Sequence, residues 1–79
     1  MRIIKESVVD NCKVSIYHWN NRYLIKLEVD WMEQTYKINQ LDLTDESELD
    51  KILNPKFMSD VMLCFQAMSK SFQESLKSL

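Results

Sequence analysis

The chain has 79 residues and a mass of 9.5 kDa, enough for one domain, and 46% hydrophobic with 28% charged residues is the composition of a folded protein. It contains no glycine, which excludes the P-loop, the dinucleotide fingerprint, the EF-hand loop, the nucleophile elbow and the RNA-clamping GXXG loop, since each needs a residue without Cβ. A net charge of −2 and a pI near 5.3 supply no cationic field for a general nucleic-acid binder, and no apolar run approaches the ~18–20 residues of a membrane span.

Apolar residues recur at every second position up to about residue 40 and at every third or fourth position afterwards. Strands followed by helices predict an α+β domain spanning 1–79. No internal repeat is apparent. Residues 2–9 hold Ile3, Ile4, Val8 and Val9 around a polar middle and read as an edge strand with no assignable partner. The predicted N-terminus carries Lys5 and Glu6 where a secretion signal would place its apolar stretch, so the expected compartment is the reducing cytoplasm, with Cys12 and Cys64 as free thiols.

Residues 12–19 and 22–30 predict a hairpin turning at Asn20-Asn21, because Asn is the residue here that best tolerates the positive φ of a type I′ turn. That turn sets His18 against Tyr23, Ile16 against Ile25, Val14 against Leu27 and Cys12 against Val29 on one apolar face. The other face sets Trp19 against Arg22, Tyr17 against Leu24, Ser15 against Lys26 and Lys13 against Glu28. A further strand over 34–40 turns Tyr36 and Ile38 inward and Thr35 and Lys37 outward. A loop of Trp31-Met32 would oppose Lys26 to Lys37 and force positive φ on two bulky residues. A four-residue loop from Trp31 to Gln34 opposes Glu28 to Lys37 instead, and is preferred; it leaves Trp31 and Met32 at a hairpin tip.

Thr44 or Asp45, with Glu48, marks the start of a short helix bearing Leu49, Ile52 and Leu53. Asn54 as cap and Pro55 at the first helical position open a long helix from about Pro55 to Lys77. Phe57, Val61, Phe65, Met68, Phe72, Leu76 and Leu79 form one stripe along it, flanked by Met58, Met62 and Cys64. The expected architecture is an antiparallel meander of three strands, four if residues 2–9 pair, then the short helix and the long one packed on one sheet face. About 23 residues of helix extend ~35 Å, against ~26 Å for an eight-residue strand. The overhang would leave Phe72, Leu76 and Leu79 without cover in one protomer, which predicts a homodimer.

Little chemistry is on offer. His18 is the only histidine, and Cys12, six residues away along the same strand, is ~20 Å distant at ~3.3 Å per residue, too far to share a metal. The cysteines lack C-x-x-C spacing, and an EF-hand loop begun at Asp42 would place Ser47 and Leu53 where glycine and glutamate belong. The acidic run from Asp42 to Asp50 is better read as helix-terminal charge. No catalytic residue, metal or cofactor is therefore expected. The candidate interface is Tyr17 and Trp19 on the outer sheet face, Trp31 and Met32 at the tip, and Phe72, Leu76 and Leu79 on the helix, with a second copy or an unidentified protein as partner. The alternative is a small ligand or single-stranded nucleic acid stacked on the outer face, where Glu28 and Asp30 offset Lys13 and Lys26.

The strings His18-Trp19-Asn20-Asn21-Arg22-Tyr23-Leu24-Ile25-Lys26 and Glu33-Gln34-Thr35-Tyr36-Lys37-Ile38 resemble a family of small uncharacterised bacterial proteins, in which a W-N-N-[KR]-Y-x-I-K segment precedes an E-Q-T-[FY]-K-I strand and a terminal helical pair. The likeness spans most of the chain after residue 11. Family members tend to carry glycine near the second hairpin turn and within the last helix, where this chain has Asp30–Met32 and Met68–Ser69. The resemblance implies the same order of elements and a bacterial cytoplasmic setting, and it brings no catalytic residues.

Overall fold

The computed structural model describes residues 1–79, which form two compact units, Met1–Asp45 and Glu46–Leu79. The first is a four-stranded antiparallel sheet in the order β1 (Arg2–Val9), β2 (Cys12–Trp19), β3 (Arg22–Val29) and β4 (Met32–Asn39), followed by a 3-10 turn at Gln40–Asp42. The second holds α1 (Glu48–Ile52) and α2 (Pro55–Lys77). The chain is thus α+β, and residues 2–9 pair to make the fourth strand that the sequence left open.

Each strand is eight residues long, and the two-residue turns Asp10-Asn11, Asn20-Asn21 and Asp30-Trp31 recur every ten. The unit therefore has a ten-residue geometric repeat, marked in the sequence only by its turn residues Asp10-Asn11, Asn20-Asn21 and Asp30. Without glycine, the positive-φ burden falls on Asp10, Asn11, Asn20, Asn21 and Asp30 (φ 50–65°). Asp and Asn are the non-glycine residues that bear it best, because their short polar side chains bond locally.

The β2–β3 register is the predicted one from Lys13 opposite Glu28 to Trp19 opposite Arg22. Its apolar face supplies the core of this unit: Cys12, Val14, Ile16, Ile25 and Leu27 are each at most 2% exposed. A one-residue slip would turn all of them to the other face. β1 does pair, with β2, from Val9 opposite Cys12 to Arg2 opposite His18, and its register shifts at a bulge between Ile3 and Lys5.

The β3–β4 register is neither of those expected. The turn is Asp30-Trp31, so β4 begins at Met32 rather than residue 34, and Glu28 faces Glu33, Lys26 faces Thr35 and Tyr23 faces Ile38. The expected loop from Trp31 to Gln34 would have given Lys37 an acidic neighbour and kept positive φ off two bulky residues. The actual turn confines positive φ to Asp30 and spares Trp31. Tyr36 and Ile38 keep the apolar side, since both registers preserve parity.

In the second unit, Leu49, Val61 and Phe65 are buried. Asn54 joins its two helices. Its side-chain oxygen accepts from Phe57 N at 2.9 Å, capping α2, while its amide donates to Lys51 O at 3.2 Å at the end of α1. Pro55 occupies the first helical position, as expected. The start of α1 differs: Ser47, not Thr44 or Asp45, precedes its first residue, and its φ −61°, ψ −20° are already helical, so its side chain makes no capping bond. Lys56 and Asp60 form an i,i+4 ion pair of 2.7 Å on the surface of α2. No helix is long and apolar enough to cross a membrane.

Candidate functional site

One end of the sheet gathers a cluster of amide side chains. The β2–β3 turn closes there, and β4 leaves there into the 3-10 turn. Gln40 N donates to Asn21 O at 3.2 Å, tying the exit of β4 to the turn, and Asn39 caps the 3-10 turn by accepting from Leu41 N at 2.9 Å. An open polar recess of about 340 Å³ results, lined by Asn20, Asn21, Arg22, Asn39, Gln40 and Leu41. Its lining offers amide and guanidinium donors and no carboxylate. Nothing in the apolar periodicity marks it, because it is made by turn residues; the signal is Asn39-Gln40 standing opposite Arg22 and Asn21 once the register is known.

His18 borders this end. Its Nε2–H donates to Gln40 Oε1 at 2.7 Å, and its ring tilts against Tyr23 with centroids 4.9 Å apart. The imidazole is thereby oriented by a neutral amide and not by a carboxylate. No three His, Cys, Asp or Glu side chains are grouped so as to hold a metal. Both cysteines are free; Cys64 is exposed and Cys12 buried. Burial pushes the Cys12 thiol up, a hydrogen bond with the Glu28 backbone opposes this, and the Glu28 charge adds to the rise. Its thiolate is disfavoured, the opposite of what a reactive cysteine requires.

On the outer face, Glu28 and Glu33 are directly opposite, a like-charge pairing that costs stability by itself. Lys26 resolves it, with its Nζ 3.4 Å from Glu33 Oε2 and 3.9 Å from Glu28 Oε1. The lysine is held above its ordinary pKa chiefly by Glu28 and then by Glu33. Between Lys26 and the neighbouring strand's Glu6 lies Ser15, fully buried, its hydroxyl without a hydrogen-bond partner.

The interface candidates separate into groups. Tyr17 is half-buried on the outer face and Trp19, at the end of β2, is 53% exposed. Trp31 is also exposed but lies in the β3–β4 turn, at the other end of an eight-residue strand, ~26 Å away at ~3.3 Å per residue. Met32 is not at a tip: it opens β4 and is buried on the apolar face. Phe72 and Leu76 on α2 are 49% and 48% exposed, and Leu79 is 99% exposed. The four sheet residues therefore do not form one surface.

No protein-family model, curated protein or solved structure matches the chain.

Proposed function

We propose that the protein is a non-catalytic interaction module that works by associating with a second copy of itself. The observation that carries this reading is the run Phe72, Leu76 and Leu79. It continues, at spacings of four and three, the stripe whose Val61 and Phe65 are buried, yet all three side chains are exposed. A stripe that starts buried and ends wet on one helix is an economical pairing surface for a two-fold partner.

Fully covering a Leu or Phe side chain is worth about 1.5–3 kcal/mol. Two half-exposed side chains and one exposed one per copy thus offer about 6–12 kcal/mol per pair, against association costs of about 4–15 kcal/mol. Weak association is the expected regime. The single imidazole, engaged by Gln40, supports a non-enzymatic role. Lys26, shared by two carboxylates, favours a protein partner over a nucleic acid on the outer face.

Light scattering from micromolar to millimolar concentration tests this. The average mass should rise above the 9.5 kDa of one chain as concentration rises, and Leu76→Glu should lower it while leaving the circular dichroism unchanged. A wild-type protein that keeps the monomer mass throughout overturns the reading.

A further inference from the structure

The sheet has two edges, and they are built differently. β1 is interrupted by the bulge between Ile3 and Lys5, a device that discourages strand addition. β4 pairs with β3 at every residue from Arg22–Asn39 to Val29–Met32 without a shift, and it contains neither proline nor bulge. It is the last strand of the sheet, and Glu33, Thr35, Tyr36, Lys37 and Asn39 on it are exposed.

In a two-residue hairpin the pair that closes the turn, here Val29 and Met32, is a hydrogen-bonded one. Alternation then directs the backbone groups of Met32, Gln34, Tyr36 and Ile38 toward β3. Those of Glu33, Thr35 and Lys37 are directed to the open edge.

We propose that β4 pairs antiparallel with β4 of a second copy about a two-fold axis at Thr35, joining the two sheets into one. The strand is self-complementary in that register alone. Thr35 faces the partner's Thr35, Glu33 faces the partner's Lys37, and Lys37 faces the partner's Glu33. The apolar side continues across the joint, with Met32 beside the partner's Ile38 and Gln34 beside the partner's Tyr36. Tyr36 is already aligned along the strand by its hydroxyl, which donates to Gln34 Oε1 at 2.8 Å. The three outward-directed residues of each copy supply about six backbone hydrogen bonds. A two-residue slide in either direction, the smallest that keeps side chains on their faces, sets Glu33 against Asn39 or Thr35 and loses both ion pairs. Opposite charges directly across an antiparallel pair are the arrangement that cross-strand energetics favour.

This inference rests on the self-association reading and gives it a second surface, separate from the α2 stripe. Two distinct two-fold surfaces on one chain close into a tetramer or extend into a chain, so association can proceed past a pair.

Cysteine cross-linking in a Cys64→Ser background reads the register directly. Hydrogen-bonded antiparallel partners lie ~5.5 Å apart at Cα, within the ~4.4–6.8 Å span of a disulfide. Thr35→Cys should form a disulfide-linked pair under mild oxidation. Glu33→Cys mixed with Lys37→Cys should form a mixed pair, while either alone should stay unlinked, since its own copies sit four residues apart. Thr35→Cys that fails to link overturns the proposal, and so does Glu33→Cys linking to itself as readily as Thr35→Cys does. Repeating the reaction with Leu76→Glu separates the two surfaces. Continued linking with a lowered mass leaves both readings standing. Continued linking with an unchanged mass removes the α2 contact alone, and linking that disappears shows that β4 does not pair by itself and overturns the β4 proposal.

Discussion

Asn20 and Asn21 both hold positive φ, 55° and 62°, in the turn on which the central hairpin depends. The left-handed region costs an ordinary L-residue roughly 1–2 kcal/mol, part of which Asn recovers through local hydrogen bonding of its side chain. Asn21→Ala should therefore destabilise by about 1 kcal/mol, and Asn20→Ala by a similar amount. Asn21→Gly removes the steric cost and adds about 0.5–1 kcal/mol of unfolded-state entropy, so it should fall close to the parent. The backbone bond from Gln40 N to Asn21 O survives all three changes, which isolates the dihedral effect.

A chain of 79 residues at about 0.05–0.15 kcal/mol per residue has roughly 4–12 kcal/mol in hand, so a single alanine variant still folds. Both tryptophans, Trp19 and Trp31, belong to the sheet unit. Urea unfolding followed by tryptophan fluorescence thus reports that unit. With an m-value of about 1 kcal/mol/M, the Ala variants should lose about 1 M in midpoint and the Gly variant much less. Ala and Gly variants of Asn21 with coincident midpoints would refute the argument, because only the Cβ distinguishes their tolerance of φ 62°.

Two further outcomes follow from the outer face. Ser15→Ala deletes a buried hydroxyl that has no partner; relief of an unsatisfied group worth about 1–3 kcal/mol, less the lost packing, should raise the urea midpoint, and a lower midpoint would mean that the hydroxyl is bonded. Lys26→Met leaves Glu28 facing Glu33 and should destabilise, with Glu33→Gln in the same chain restoring stability; independent effects of the two substitutions would break the argument. Because the folded state raises the Lys26 pKa, its contribution is complete below the unfolded lysine value near 10.4 and fades as pH climbs through the higher folded one. The Lys26→Met penalty, measured by urea unfolding, should shrink in that alkaline window.

The central hairpin was legible because three independent signals agreed: a turn that two adjacent asparagines can make without glycine, an apolar face, and paired charges on the other side. β1 was less so. Its bulge places Ile3 opposite Tyr17 but Lys5 opposite Ile16, which changes parity mid-strand and blurs the alternation that would announce it. Asp10-Asn11, ten residues before Asn20-Asn21, was the available clue. The β3–β4 register failed for a different reason. Keeping Lys26 away from Lys37 favours the longer loop in pairwise terms, whereas the sheet accepts Glu28 opposite Glu33 by settling three charges together through Lys26. Placing Met32 at a tip followed from that error. The bounds of α2 were readable from Asn54-Pro55 at one end and from the run of periodic apolar residues to the other.

Trp19 and Trp31 are the residues a partner would be expected to seize, and the register decides what they can do together. Tryptophan-centred contacts draw their strength from clustering near the middle of an interface, where surrounding residues exclude water. An isolated pair ~26 Å apart, at opposite ends of an eight-residue strand, cannot share one such centre within a copy. Two-fold pairing through β4 sets the partner's Asn39 beside Trp31. The partner's Trp19, aligned with the partner's Arg22 and the partner's Asn39, then lies three strands away, ~14 Å at ~4.8 Å per strand, nearer than the Trp19 of the same copy but beyond ring contact. Within one copy each tryptophan acts alone. Recognition that needs an extended patch is left to strand edges and the helix stripe, where the spacing of residues, rather than their individual bulk, carries the specificity.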